Sequence, residues 1–276
     1  MTPSSDTSLD ERPEKSFVYL VQSRGPLPDV YADIEHEQAD RIVLSWREPV
    51  EGGLFAPGTT WTEGRNRLLA EALARGTRYH YYIFLDDDVA FERGGWREFE
   101  EALMRYEPAV ASPYFPWYRA AMLRTNQALD AHTFFWFDAM YNAFHRDVVE
   151  DGFVLPYIPD FDGESWWYSQ FIVICMVHAL YHRDSLQFNK VWVGNTKHED
   201  YPQGDDFKKV IKWIHNEVLR TPPAWTWRSR AAGVLRRLGG TERPSLPRPK
   251  TGSYRLTDDQ KARLLRLDSA YWASRA

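Results

Sequence analysis

Along the first 115 residues, short apolar runs alternate with longer stretches that mix apolar and charged positions. "FVYLVQS" (17–23), "RIVLSW" (41–46), "YHYYIFL" (79–85) and "AVASPYF" (109–115) have the β-branched and aromatic content of strands. Between them, residues 30–39 read as a polar, helical piece, 59–76 as a helix starting near Thr59 or Thr60 and ending before Gly76, and 95–107 as another helix. Strands that alternate with helices predict an α/β sheet with parallel strands, whose ligands collect at the strands' carboxyl ends.

After residue 130 the pattern changes. "HTFFWFDAMYNAFHR" (132–146) reads as one aromatic strand, and "LPYIPDFDGE" (155–164) as a loop. The run 164–183 is a helix so apolar through its middle that burial on most sides is expected. A strand at 187–194, a polar loop at 195–206 and a helix at 207–219 complete the body. The domain division is therefore a disordered lead (1–16), a catalytic-size domain (17–220) and a basic, Pro-containing extension with helices (221–276). No period of repeat length recurs.

Composition adds limits. With 276 residues, 43% hydrophobic and 15% aromatic, the chain can bury a sizeable core. Its one cysteine, Cys175, lies in an apolar run, so no intrachain disulfide forms and a cytoplasmic location is expected. Neither a signal peptide nor an apolar run near the roughly 18 residues of a spanning helix is visible. The net charge of −5 conceals a basic stretch at 219–250, while the body is acidic, which argues against nucleic acid as partner.

The sharpest chemical signal is "YYIFLDDDVAF" (81–91), an apolar strand that runs into Asp86, Asp87 and Asp88. Adjacent carboxylates repel one another, and an unpaired charge is costly to withdraw from water. A hard divalent cation, Mg²⁺ or Mn²⁺, resolves both problems and leaves positions for water and phosphate. The spacing places Asp86 and Asp88 on one side of the strand end, with Asp87 turned away; a solvated acidic turn is the plain alternative.

With "GRN" (64–66) on the preceding helix, the acidic triple, an acidic loop before a helix and a late histidine in succession, the chain resembles the glycosyltransferase A fold family over roughly residues 17–218. That resemblance implies a Rossmann-like, mostly parallel central sheet flanked by helices, here with a C-terminal helical extension. It further implies a nucleotide-sugar donor, with Asp86 and Asp88 holding Mn²⁺ or Mg²⁺ against its diphosphate and His198 completing the metal site. Asp87 would lie near the donor's ribose or sugar, and Arg65 or Asn66 would help bind the nucleotide. In an inverting transferase the acceptor hydroxyl, on a glycan or lipid-linked glycan, needs a general base, typically at the start of a helix flanking the site. Asp162 is the first choice and Glu164 the second, with Asp160 beside them; each also suits a helix cap. Trp166 and Trp167 would offer a sugar a flat surface, with core packing the plain role of at least one, and Asp138 reads either as an acid that touches the acceptor or as a paired core carboxylate.

Rival readings are a haloacid-dehalogenase-like phosphohydrolase, with Asp86 as nucleophile and Asp88 as acid/base, and a non-catalytic carbohydrate-binding scaffold. The phosphohydrolase needs a second acidic pair at another strand end, for which "QGDD" (203–206) is the obvious candidate and follows a polar segment. Phosphate-binding glycine fingerprints are missing, and His178 and His182 lack the glutamate of a zinc protease helix. The tail 224–240 interleaves tryptophans and leucines with arginines and suits either peripheral contact with an anionic membrane or packing on the body.

Overall fold

The computed structural model describes residues 14–116, 129–133, 137–195, 207–214 and 252–263. Its strands are β1 (Glu14–Ser23), β2 (Ala39–Ser45), β3 (Leu54–Phe55), β4 (Arg78–Asp86), β5 (Val89–Arg93), β6 (Val110–Tyr114), β7 (Ala131–Thr133), β8 (Tyr141–His145) and β9 (Ser185–Asn195). Helices are α1 (Trp61–Ala74), α2 (Trp96–Tyr106), α3 (Arg146–Asp151), α4 (Trp166–Tyr181), α5 (Phe207–Trp213) and α6 (Asp258–Arg263).

The strands form one sheet in the order β3-β2-β1-β4-β8-β6-β9-β5, with β7 also paired to β9. β3, β2, β1 and β4 are mutually parallel. β8 runs against both β4 and β6, so β6, and β9 parallel to it, share the direction of β4. β5 and β7 run against β9. The sheet is thus mostly parallel in direction, with β8 wedged into its middle, and the α/β architecture expected from sequence is present.

β1 is buried without interruption from Phe17 to Ser23, as a central strand covered on both faces must be. Alternation then sorts the core into two layers. Val18, Leu20, Tyr82 and Phe84 face Leu68, Leu69 and Ala72 of α1 and the apolar residues of α4. Phe17, Tyr19, Val21, Tyr81, Ile83 and Leu85 face Trp96, Phe99 and Leu103 of α2. α4 buries residues all round its circumference, from Tyr168 to Val177, as its composition demanded. Cys175 on this helix is a free thiol that burial pushes up to about 12.

Two local expectations change. In place of a helix over 30–39 there is a short 3-10 turn, Asp29–Ile34, and β2 already begins at Ala39; a segment this brief cannot repay helix nucleation, and the turn buries Tyr31 and Ile34. The run 132–146 is not one strand: Asp138 accepts the backbone N–H of Met140 at 3.0 Å, and this local turn separates β7 from β8. Of the C-terminal extension, only 252–263 lies within the described residues. Within the described residues, no helix is long and apolar enough to cross a membrane.

Candidate functional site

The acidic triple stands where the sequence placed it, at the carboxyl end of a parallel strand. β4 ends at Asp86 and β5 begins at Val89, so Asp87 and Asp88 form the turn between them. Tyr31, buried, fastens both ends of this turn: its hydroxyl donates to the Asp86 carbonyl at 2.8 Å and accepts from the Val89 N–H at 3.0 Å. The Asp86 N–H donates to the Met140 carbonyl at 3.0 Å, which seats the approach to β8 against the tip of β4.

Parity decides where Asp86 points. It continues the face of Tyr82 and Phe84, which is the face α1 covers. There the Arg65 guanidinium donates to Asp86 Oδ1 at 2.6 Å, and the Trp61 indole N–H reaches the same oxygen at 3.3 Å. Asp87 turns toward the tip of β1, where Ser23 Oγ and the Arg24 backbone N–H each lie 3.0 Å from its Oδ2. The separation of Asp87 from Asp86 agrees with the strand spacing.

α1 is set by its first turn. Thr60 is the N-cap and forms a reciprocal capping box with Glu63, so the T-x-x-E signature locates the helix start. Gly64 lets the helix approach the tip of β1, because a Cβ there would lie 2.4 Å from Gln22 Nε2. Arg65 and Asn66, expected to touch a nucleotide, instead turn inward. Arg65 has no exposed side-chain surface. Asn66 is engaged by Tyr157, donating to its carbonyl and accepting from its N–H, both at 2.7 Å.

Asp162 is also buried. Its Oδ1 accepts from Thr62 at 2.6 Å and lies 3.1 Å from Ser169 Oγ, while Oδ2 accepts from Thr60. Through these hydroxyls the carboxylate ties the loop before α4 to the start of α1 and to Ser169 of α4 itself. Burial raises its pKa against the pull of those hydroxyls. Because Thr60 and Thr62 flank Trp61, Asp162 belongs to the same helix start that reaches Asp86. Glu164 is exposed and pairs with Lys209 of α5. His198 and the "QGDD" pair lie outside the described residues.

Electrostatically the site is a concentration of acid. Burial pushes Asp86 up to about 6, opposed by Arg65 and reinforced by Asp138 and Asp87. Asp88 is pushed up to about 7 by burial and then by the charges of Asp86 and Asp87. Asp138 raises both, so the turn before β8 adds a fourth carboxylate to the neighbourhood. Among the described residues no three acid, histidine or cysteine side chains group closely enough to cage a metal. Mg²⁺, however, is ordinarily held by one or two carboxylates with water and substrate phosphates as remaining ligands. The crowding that hinders ionisation of Asp86 and Asp88 is relieved by a divalent cation, so the donor set fits one.

Neither a protein-family model nor a curated protein matches the sequence. Solved structures do match the fold. The fold is similar to that of S. aureus TarS. The structure of TarS 1–349 in complex with UDP-GlcNAc superposes with a TM-score of 0.53 at 9% identity, covering 81% of this chain and 73% of that one. A longer TarS chain gives 0.50 at 10% identity over 82% of this chain, which spans only 44% of the TarS chain. At such identity the likeness concerns the fold alone.

Sequence reasoning missed Trp61, Thr60, Thr62, Tyr31, Ser23 and Arg24 as parts of the site. Only Thr60 carried a local signal, the capping box.

Proposed function

We propose that the protein is a metal-dependent glycosyltransferase that moves a sugar from a nucleoside-diphosphate sugar to a glycan or glycolipid hydroxyl. The observation that carries this reading is the acidic turn 86–88 at the tip of β4, in a fold similar to that of a protein solved with UDP-GlcNAc.

Asp86 and Asp88 would hold Mn²⁺ or Mg²⁺, with His198 as the further ligand. The ion supplies Lewis-acid neutralisation of the charge that develops on the departing diphosphate. Asp87, steadied by Ser23 and Arg24, faces the tip of β1, the place for the donor's ribose or sugar. The base is one of the two acids before α4. Asp162 is favoured by its links to the start of α1 and by a raised pKa, Glu164 by its exposure. Arg65 and Asn66 act from behind the site, through Asp86 and Tyr157. Synthesis of polysaccharide or glycoconjugate is the setting that suits this activity, with membrane contact through 224–240 a part of the same proposal.

Calorimetric titration with nucleoside diphosphates, with and without Mn²⁺, tests the reading. Binding is expected only with the metal, and Asp88→Ala is expected to abolish it while the circular dichroism spectrum stays native. Unchanged affinity in that variant, or turnover of a generic aryl phosphate by the wild type, would overturn it.

A further inference from the structure

The placement of Arg65 leaves a charge to be explained. A guanidinium stays protonated in every protein environment, and one wholly withdrawn from water requires an anion beside it. With no exposed surface, Arg65 meets that anion in Asp86, Nη2 to Oδ1 at 2.6 Å. Three rings surround the cation. Its Cζ lies 4.2 Å from the centroid of Trp61, 5.4 Å from that of Phe84 and 5.9 Å from that of Tyr157. Trp61 acts twice, since its indole N–H donates to the same Asp86 oxygen. Both donors therefore meet Oδ1.

We propose that Arg65 is a positioning residue for the acidic turn: with Trp61 it holds Oδ1 of Asp86 and so orients the carboxylate that would bind the divalent ion. The proposal rests on the metal-dependent reading above and replaces the expectation that Arg65 touches nucleotide. Lysine is a poorer substitute, because a compact charge on a flexible stem does not reproduce the planar guanidinium packed among these rings. Groups that orient a metal ligand from behind typically change metal affinity by about 10–100-fold when removed.

The test is a double-mutant cycle read by calorimetry of UDP binding across a MnCl₂ series. The wild type is measured first: equal UDP binding in EDTA and in Mn²⁺ overturns the metal-dependent reading itself, and this proposal with it. Given metal dependence, Arg65→Met is expected to raise the Mn²⁺ concentration for half-maximal UDP binding by about tenfold or more, with Arg65→Lys intermediate. In an Asp86→Asn background, Arg65→Met is expected to change that concentration by less than about twofold, because the two residues act as one unit. A loss of UDP affinity that saturating Mn²⁺ does not restore would mark Arg65 as a nucleotide contact and overturn the proposal. Additive effects in the double variant would overturn it as well. Should Arg65→Met fail to fold, Arg65→Lys carries the test, and an unchanged Mn²⁺ half-saturation in it is the overturning result.

Discussion

Gly64, Arg65 and Asn66 are consecutive, yet each is tied to a different part of the molecule. Gly64 clears space for Gln22 on β1, Arg65 pairs with Asp86 on β4, and Asn66 clasps the backbone of Tyr157 in the loop before α4. The tripeptide stood out in the sequence, but its contacts were not legible there, because the partners lie 21 and 91 positions away. Asp162 poses the same difficulty from the other end. Hydrogen bonds to a charged group contribute about 1.5–3 kcal/mol each and do not add fully, so Asp162→Ala is expected to cost roughly 3 kcal/mol in urea unfolding. Asp162→Asn separates tether from base. A tether alone predicts a lower unfolding midpoint with turnover kept, whereas a base predicts turnover reduced by orders of magnitude in protein that remains folded.

Among the elements, the segment 252–263 shows how a piece of the C-terminal extension is held. Asp147 Oδ2 accepts from the Ser253 hydroxyl at 2.7 Å and the Tyr254 N–H at 2.8 Å, and Asp151 Oδ2 accepts the Leu256 N–H at 2.6 Å. Arg255 lies against Asp147, Glu150 and Asp151 of α3. Tyr254 packs edge-on to His145, and Leu256 is buried in the core layer that α1 and α4 share. The charges are numerous and the apolar contacts few, but magnitude favours the latter. Arg255 is 41% exposed, and ion pairs in that setting are worth about 0–1 kcal/mol. Truncating a buried leucine costs about 2–5 kcal/mol. Leu256→Ala is therefore expected to destabilise the protein more than Arg255→Ala, and equal losses in a denaturant series would refute that ranking. α3 begins where β8 ends, and β8 runs against β4, so this docking lies at the end of the sheet away from the acidic turn.

For the whole molecule, the acidic turn makes stability a function of pH and of metal. Asp86 and Asp88, raised to about 6 and about 7, retain protons in the folded state that the unfolded chain has already released. Their contribution to stability is accordingly full below about pH 4 and is lost as pH rises toward 7. Asp40 and Asp147, held low by partners although burial opposes this, contribute stability that is lost only as pH falls below the usual carboxylate range. His132, kept neutral by burial, also loses stability toward acid, below about pH 6.5. A comparison with Asp88→Asn isolates the turn from these other groups. In EDTA at pH 7.5 the variant is expected to melt a few degrees above the wild type, and at pH 4 to melt with it. Adding Mn²⁺ is expected to raise the melting temperature of the wild type at pH 7.5 and scarcely at pH 5, and equal shifts at both would contradict the assignment.

Much of this design could be read from the chain without a structure. Runs of apolar residues located β1, β2, β4, β6 and α4, a threonine pair at 59 and 60 marked the start of α1, and three aspartates after an apolar strand announced the tip of β4. Each of these depends on neighbours within a few positions, since strand pleat, helix period and capping are local geometry. The insertion of β8 between β4 and β6, the turn at Asp138 that splits an aromatic run, and the inward commitment of Arg65, Asn66 and Asp162 were decided in three dimensions. A buried charge or amide takes whichever partner the packed elements bring to it, and the desolvation cost of going without one enforces that choice only once distant segments have met.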